Sequence, residues 1–254
     1  MISASNPPVT DCSELQRLGM NTRGFYYIDP TGQRQNQGLA LVYCQDGWTY
    51  VLKREKDPNL VQDPWTFDFL HGIGAPGDKE FFTGLLFLHQ LTNLKQYNLR
   101  VRLWSDDNNN EYGEATYQRF EVGDERSKWA LLVNGFSSAN DWRILDSFYG
   151  TNGSEFTMGG PCRGKFESSN WFSNQIPECS YANFFGPHSP QTSEAGSGLF
   201  YMGLNGLGGT LSKAMFAIRP HDYESLISQP LSDQDAMLQE WNARQTSEYK
   251  TVFE

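Results

Sequence analysis

Two cysteines near the middle of the chain, Cys162 and Cys179, bracket sixteen residues that show neither a helical nor a strand-like period. The bracketed segment is rich in Gly, Pro, Ser and Asn, and it carries one aromatic pair, Trp171-Phe172. A disulfide between the two cysteines would remove about 3 kcal/mol of chain entropy from the unfolded state. The pattern predicts a rigid loop, without helix or strand, of the kind that is suited to recognition.

The other two cysteines, Cys12 and Cys44, lie far from this pair along the chain. No cysteine has a second cysteine or a histidine at the spacing of zinc ligands. Four cysteines allow three pairings, of which proximity favours Cys12–Cys44 and Cys162–Cys179. Bonded cysteines indicate an oxidising compartment, so we expect a secreted, extracellular protein.

The composition limits the classes of partner. A net charge of −10 argues against a basic stripe for nucleic-acid phosphates and disfavours anionic membrane surfaces. No run approaches the roughly 18 to 20 apolar residues of a membrane span. We therefore expect neither nucleic-acid binding nor membrane insertion. Aromatic residues make up 14% of the chain, which predicts a core built largely from Phe, Tyr and Trp.

Short segments of alternating or β-prone residues predict strands over 24–28, 39–44, 48–54, 97–104, 114–122, 129–133 and 213–220. Helical turns are predicted over 11–19, 80–91 and 232–241. Residues 1–10 contain Pro7-Pro8, and we expect a flexible lead-in rather than a signal peptide. The pattern is typical of an α+β domain with a small N-terminal antiparallel sheet, a central twisted antiparallel sheet and short helices.

Residues 134–210 are dominated by Gly, Ser, Asn and aromatic residues and lack a regular period. A loop region of this length inside a compact domain is usually functional. It contains the one N-glycosylation sequon of the chain, Asn152-Gly153-Ser154, which predicts a glycoprotein. The four histidines are dispersed and no nucleophile-elbow motif occurs. We therefore expect a recognition region and not an enzyme.

Motifs spread along the chain resemble those of a fibrinogen C-terminal, or fibrinogen-related, domain over about residues 11–220. The segments that carry the resemblance are 11–14 with 24–28, Cys44 with 47–49 and 53–54, 80–84 with 88–92, the cysteine bracket around Trp171-Phe172, and 215–220. No single motif decides the family, but all of them occur in order at suitable spacing. Residues 221–254 would then form a C-terminal extension that is partly helical.

The resemblance implies both disulfides in the pairing that proximity favours. It also implies an extracellular, non-enzymatic recognition domain of the ficolin and tachylectin lectin kind, with an innate-immune role and a glycan or protein ligand bound through loops in 134–210. Family members usually bind calcium before the third cysteine, and many bind acetylated sugars or peptide ends beside the fourth. Many sit behind stalks that multiply weak sites, so a homo-oligomer is one expected arrangement.

The residues at the calcium position depart from the family pattern. Asn152 and Ser154 stand where the family has two aspartates, and Glu155 alone offers a negative charge. Calcium affinity falls as anionic ligands are removed, and a glycan on Asn152 would exclude this residue as a ligand. The sequence therefore argues against calcium, and no other cofactor is expected.

The pocket beside the fourth cysteine is altered as well, with Glu178 and Ser180 on either side of it. The candidate ligand residues are Trp171, Phe172, Glu178, Ser180, Tyr181, His188 and Tyr201. For Trp171 and Phe172 we expect burial under the loop rather than stacking on a sugar ring. Two interpretations remain: a lectin-like domain, or a protein-binding or adhesion module that has lost calcium-dependent lectin activity.

Overall fold

The computed structural model describes residues 9–20, 23–33, 38–55, 66–105, 112–138, 144–173, 175–177, 179–188, 197–206, 210–233, 235–237 and 239–240. The strands in these ranges are β1 Gly24–Ile28, β2 Ala40–Gln45, β3 Trp48–Glu55, β4 Phe81–Phe82, β5 Tyr97–Ser105, β6 Tyr112–Val122, β7 Leu131–Ser137, β8 Phe156–Thr157, β9 Asn170–Trp171, β10 Ala182–Asn183, β11 Phe200–Tyr201 and β12 Leu211–Pro220. The helices are α1 Cys12–Arg17, α2 Thr66–His71, α3 Leu85–Thr92, α4 Gly160–Phe166, α5 Met202–Asn205 and α6 Tyr223–Ile227.

One antiparallel sheet of eight strands organises the fold, in the order β1-β2-β3-β12-β5-β6-β7. Strand β4 pairs with the second half of β3. The sheets expected at the N-terminus and at the centre run together, because β3 pairs with β12. Two further pairs, β8 with β9 and β10 with β11, lie in the loop region. The α+β class predicted from the sequence is confirmed.

The two faces of the large sheet differ in what covers them. On the inner face, side chains such as Val101 and Phe216 are buried in the main core, together with residues of α1, α3 and the loop region. On the other face, which we call the outer face, a smaller cluster is built around Trp48 and Tyr50, and all of its members come from the sheet itself. The loop region therefore packs against one side of the sheet only.

Helix α1 begins at Cys12 because Asp11 caps it. The Asp11 carboxylate accepts hydrogen bonds from the backbone N–H groups of Ser13 (2.8 Å) and Glu14 (3.0 Å), as a helix N-cap does. The same buried carboxylate accepts from Tyr97 Oη at 2.6 Å and pairs with Lys95 Nζ at 2.8 Å. Burial and this carboxylate raise the pKa of Tyr97 well above its usual value. One side chain thus fixes α1 onto β5.

Both disulfides favoured by the sequence are present. Cys12–Cys44 joins α1 to β2 with a Cα–Cα distance of 5.5 Å. Cys162–Cys179 closes the segment 162–179, which we call the closed loop, with a Cα–Cα distance of 6.0 Å. In the part of the chain that the structure describes, no helix has both the length and the apolar character needed to cross a membrane.

Three predictions of local structure were wrong. The helix predicted over 80–91 starts only at Leu85, because residues 81–82 pair with β3 and Gly84, with φ of 92°, turns the chain between them. The strand predicted over 129–133 starts at Leu131 because Lys128 and Trp129 have left-handed backbone, with φ of 52° and 58°. The closed loop, predicted to lack regular structure, contains β9 and most of α4, a helix that starts at Gly160 and has Pro161 in its first turn.

The described part of the C-terminal extension lies against α1. Tyr223 Oη donates a hydrogen bond to Gln16 Oε1 at 2.8 Å. Residues 233, 235–237 and 239–240 are helical, and Asp235 pairs with Arg17, with one Nη1–Oδ2 distance of 2.9 Å. The hydrogen bonds from Arg17 and Ser232 lower the pKa of the Asp235 carboxyl. The extension therefore contacts the start of the domain rather than trailing away from it.

Candidate functional site

The closed loop is a packed unit. Three rings, Phe166, Phe172 and Phe200, form a small buried cluster beneath the two bonded cysteines. Within the loop, the N–H of Ser173 donates to the carbonyl of Cys179 at 2.7 Å, and that of Cys179 donates to the carbonyl of Ile176 at 3.1 Å. These bonds turn the chain back at residues 175–177, which we call the loop tip. The disulfide, the cluster and the turn together hold the tip in one position.

Trp171 and Phe172 lie in the core, as expected. They are 5% and 6% exposed. The Trp171 indole Nε1–H donates to the carbonyl of Trp129 at 2.8 Å, and its ring meets the ring of Phe156 edge-on at 5.0 Å between centroids. Neither aromatic side chain leaves a ring face open on which a sugar could stack.

Two more candidate ligand residues have internal roles. Ser180 is buried, and its Oγ donates to the carbonyl of Ala182 at 2.7 Å. Tyr201 is fully buried, its hydroxyl lies 3.0 Å from that of Tyr117, and it accepts from the N–H of Ser147 at 3.3 Å. Burial raises the pKa of Tyr201 to about 12. The hydroxyls of Ser180 and Tyr201 thus form hydrogen bonds within the loop region, and that of Tyr201 also contacts Tyr117 on β6.

Tyr181 and Glu178 are two further candidates. Tyr181 is half-buried and precedes β10. Glu178 lies outside the described residues. None of the six candidates that the structure describes has a largely exposed side chain.

His188 belongs to a buried ionic cluster. Its Nε2 contacts the carboxylate of Glu80, which also pairs with the guanidinium of Arg54. Arg54 donates further hydrogen bonds to the carbonyls of Phe184 (2.6 Å) and Gly186 (3.0 Å). Burial lowers the pKa of Arg54, while the nearby carboxylate opposes that shift. The cluster joins β3 to the 184–188 segment. Sequence analysis missed Arg54 and Glu80, because neither carries a local signal of pairing at such separations.

The three residues predicted for the calcium position contact protein donors. Asn152 Oδ1 accepts from the N–H of Val133 at 3.0 Å, and the backbone carbonyl of Ser154 accepts from the N–H of Leu131 at 2.9 Å. The Glu155 carboxylate pairs with Lys128 at 2.8 Å. Over the described ranges, no group of three or more His, Cys, Asp or Glu side chains could hold a metal ion. Calcium needs several anionic oxygens, and these oxygens already bind protein donors.

The sequon remains compatible with a glycan. Asn152 is exposed, and its hydrogen bond to Val133 uses Oδ1, whereas N-linked glycans attach to the amide nitrogen. The turn that carries it is closed by backbone bonds to β7, among them Gly153 N–H to Leu131 O at 2.7 Å. A glycan here would project from a rigid turn. Glycosylation stays a prediction.

Two large apolar side chains are exposed in the described part of the loop region: Leu145, at 58%, and Tyr149. Tyr149 lies on the turn 147–153, which we call the Tyr149 turn. Tyr149 is 69% exposed, whereas its neighbour Phe148 is buried, 5.7 Å from the ring of Phe184. A Cβ added to Gly150 would lie 2.9 Å from Ile176 Cγ2, so the Tyr149 turn touches the loop tip. Sequence analysis missed this junction, because the adjacent aromatics at 148 and 149 do not reveal which one faces water.

A polar cleft of about 270 Å³ lies elsewhere, at the end of α3. Its lining residues are Thr92, Asn93, Lys95, Gln96, Arg119, Phe120 and Glu121. Lys95 pairs with Asp11 at 2.8 Å, and Arg119 pairs with Glu121 at 2.9 Å. Both cations of the cleft are thus neutralised by the protein, and the cleft offers no unpaired charge to a ligand.

Comparison with known proteins gives the same fold and the same family. The family model for the fibrinogen beta and gamma chains, C-terminal globular domain, matches residues 9–221. Fibrinogen-like protein 1 of Bos taurus is 27% identical over 238 residues, covering 84% of this chain and 72% of that protein. Tenascin of Gallus gallus is 28% identical over 232 residues, covering 87% of this chain but only 12% of tenascin.

Two solved structures have a similar fold. The fibrinogen-like globe domain of human ANGPTL6 superposes with a TM-score of 0.71 at 23% identity, covering 87% of this chain and 99% of that one. Lamprey fibrin D-dimer, solved with the peptide ligand Gly-His-Arg-Pro-amide, has a TM-score of 0.64 at 21% identity, covering 90% of this chain and 77% of that one. The family model, the two disulfides and the shared sheet agree with the motifs found in the sequence. This chain belongs to the family of fibrinogen C-terminal globular domains.

Proposed function

We propose that this chain is an extracellular recognition module that binds a protein or peptide ligand through the Tyr149 turn and the loop tip. The observation that carries the proposal is the exposure of Tyr149, 69%, on a turn that is fixed to the protein on both sides. Exposed aromatic side chains on rigid supports are frequent anchors of protein interfaces, because they bury a large area at little entropic cost. The module is proposed to act by binding and not by catalysis.

The rigidity of this surface follows from three contacts. Phe148 anchors one end of the Tyr149 turn in the core, where its ring lies 6.2 Å from that of Phe216 on β12. Gly150 abuts Ile176, and the disulfide holds the loop tip beneath it. Surfaces that are already ordered lose less conformational freedom on binding. The two disulfides also support an oxidising, extracellular location.

A protein ligand is favoured over a sugar because the side chains that would bind a sugar or calcium make contacts within the loop region. The rings suited to stacking, Trp171 and Phe172, are buried, and the oxygens at the calcium position bind backbone and lysine donors. The lamprey fibrin structure, which contains a bound tetrapeptide on a similar fold, supports a peptide as the class of ligand.

The test selects ligands from a random peptide library displayed on phage, using the monomeric fraction of the protein so that avidity does not inflate affinity. We expect selected peptides to lose about tenfold or more in affinity to Tyr149→Ala, since an anchor residue contributes more than about 1.4 kcal/mol. Phe67→Ala is the matched control, because Phe67 on α2 is 66% exposed.

A glycan array run with and without calcium tests the alternative, the lectin interpretation. We expect no calcium-dependent signal on any glycan. Calcium-dependent binding to a glycan that Tyr149→Ala leaves intact would overturn the proposal and restore the lectin interpretation. Peptide binding that Phe67→Ala weakens as much as Tyr149→Ala does would place the ligand elsewhere.

A further inference from the structure

The outer face of the sheet is cationic, although the chain as a whole has a net charge of −10. Its positive side chains are Lys53 on β3, Arg100 and Arg102 on β5, and Lys213 and Arg219 on β12. Two carboxylates accompany them: Glu55 contacts both lysines, at 3.1 and 3.4 Å, and Glu114 pairs with Arg102 at 2.9 Å. Asp46 and Glu224 also act on Arg219, so four carboxylates face the five cations and the strip keeps a small net positive charge.

Two of the arginines have no carboxylate partner among the residues that the structure describes. Arg100 and Arg219 both lie over the Trp48 ring, with guanidinium carbons 4.2 and 4.5 Å from its centroid. The Nε atom of each is buried without a hydrogen-bond partner. Burial lowers the pKa of both guanidinium groups, and neighbouring Arg102 adds to the effect at Arg100. Cation–π contacts hold these charges in place without neutralising them.

One end of the strip is partly balanced. Asp46 and Glu224 act electrostatically on Arg219 and oppose the lowering of its pKa, and the Arg219 guanidinium lies over the Tyr223 ring at 3.8 Å. Arg100 and Arg102 are more central, and both donate to Tyr50 Oη, at 3.3 and 3.4 Å. The least balanced charge of the strip is therefore that of Arg100 on β5, because Arg102 and the two lysines contact carboxylates.

Aromatic rings alternate with the cations along this strip. Beyond Arg102, Lys213 lies over the Trp104 ring at 5.1 Å, and Trp104 packs against Tyr112 at 5.2 Å between centroids. Tyr112 is 44% exposed. From Lys213 to Arg219 the strip follows seven residues of β12, a length of about 20 Å. It presents fixed positive charges in a row with the exposed ring of Tyr112, whereas Trp48 is 7% exposed.

We propose that the outer face binds a sulfated polysaccharide. Guanidinium forks match the oxygens of sulfate and carboxylate groups in bidentate geometry, and sugar rings stack on exposed aromatic faces. A repeating polyanion would place successive negative groups along the row of about 20 Å, whereas a single small anion would contact only one part of it. This site lies on the opposite side of the sheet from the Tyr149 turn, so each proposal can fail without the other.

An acidic peptide fits this face less well. Extended peptides bind sheets mostly by adding a strand to a free edge, where main-chain hydrogen bonds supply the affinity. Strands β3, β12 and β5 lie inside the sheet, and β12 is paired on both sides. The strip offers side chains only. A rigid chain of rings and sulfates uses such a surface better than a flexible peptide, which loses more entropy on binding.

The experiment measures binding of a heparin octasaccharide to the whole chain by calorimetry over a series of salt concentrations. We expect saturable binding at about 50 mM salt that weakens steeply as salt rises, as counterion release requires. The double variant Arg100→Gln/Arg102→Gln should bind at least about tenfold more weakly. The charge-matched control is Lys128→Gln/Lys165→Gln, which removes two lysines outside the strip and should stay within about twofold of wild type.

Two further variants separate binding from folding. Lys53→Gln/Lys213→Gln removes two partly exposed charges from the strip, whose side chains are 19% and 30% exposed, and should weaken binding while the melting temperature stays close to wild type. Arg100→Lys/Arg102→Lys keeps the charge and should retain part of the affinity. The Tyr149→Ala protein should bind the octasaccharide as wild type does.

Three results would overturn the inference. The first is no binding at about 50 mM salt. The second is an equal loss in the Lys128→Gln/Lys165→Gln control, which would mean attraction to any surface cation. The third is tighter binding of poly-glutamate than of the octasaccharide, which would identify an acidic peptide as the preferred partner.

Discussion

Replacement of Trp171 separates a structural role from a ligand-stacking role. Its indole N–H donates to the carbonyl of Trp129 at 2.8 Å. Trp129 and its neighbour Lys128 both have left-handed backbone, which costs a non-glycine residue about 1–2 kcal/mol. Trp171 therefore fills the core and also holds a strained turn that leads into β7.

The magnitude follows from these contacts. Trp171→Phe keeps most of the packing but leaves the Trp129 carbonyl without its buried donor, a loss of about 1–3 kcal/mol. Trp171→Ala adds the cavity left by an indole, and large aromatic truncations in cores cost about 3–5 kcal/mol. For a domain of this size, each kcal/mol lowers the melting temperature by about 2–4 °C. We expect a clear order of stability: wild type, then Trp171→Phe, then Trp171→Ala.

The assay is urea unfolding followed by far-ultraviolet circular dichroism, because this signal does not depend on the tryptophan being replaced. Phe67→Ala serves as the control, since Phe67 is 66% exposed and its truncation should change the free energy of unfolding by less than about 0.5 kcal/mol. A Trp171→Ala protein within about 1 kcal/mol of wild type would refute the reasoning. Trp171 would then lie at the surface, and its ring could stack on a sugar.

Three further predictions concern charge. Glu80→Gln should destabilise the fold by about 3–5 kcal/mol in urea unfolding, because it leaves the buried Arg54 cation unpaired, whereas Glu155→Gln, in an exposed ion pair, should cost under about 1 kcal/mol; equal losses would contradict this. Arg17 lowers the pKa of Asp235, so their pairing stabilises the fold above the unfolded carboxyl pKa of about 4 and is lost as pH falls. The free energy of unfolding of wild type should therefore exceed that of Asp235→Asn most at neutral pH, and the difference should decrease in acid. A difference that does not depend on pH would count against the pairing. Calorimetric titration with calcium should give no saturable heat at sub-millimolar concentration. A clear binding isotherm would show that the Tyr149 turn, which contains Asn152, rearranges to bind the ion.

Local chemistry explains which parts of the fold could be predicted from the sequence. The strand over 97–104 was evident because its apolar side chains alternate, and the structure buries every second residue of β5. The disulfides followed from proximity and family resemblance. The boundary at Leu85 was not predictable, because Phe81-Phe82 continues the apolar period of the helix and only the distant strand β3 draws these two residues into the sheet.

The proposed site lies within 134–210, the region that the sequence favoured, but Tyr149 and the loop tip were not among the predicted ligand residues. A sequence shows that Trp171 and Phe172 are aromatic, but their exposure depends on Phe156 and Phe200, which lie in other elements. The outer face was missed for a related reason. A net charge of −10 argues against a basic surface, yet strand register brings cations from three separate strands side by side. Overall charge does not report where charges are placed.

The position of β12 determines when this domain can fold during its synthesis. It is the last strand in the described residues, yet it lies between β3 and β5. Until residues 211–220 have been made, each of those two strands lacks a neighbour, and open strand edges promote wrong pairing. The joining contacts link residues more than 100 positions apart, which slows folding. The nascent domain therefore stays incomplete until residues 211–220 have left the ribosome, and a truncation before residue 211 leaves two half-sheets.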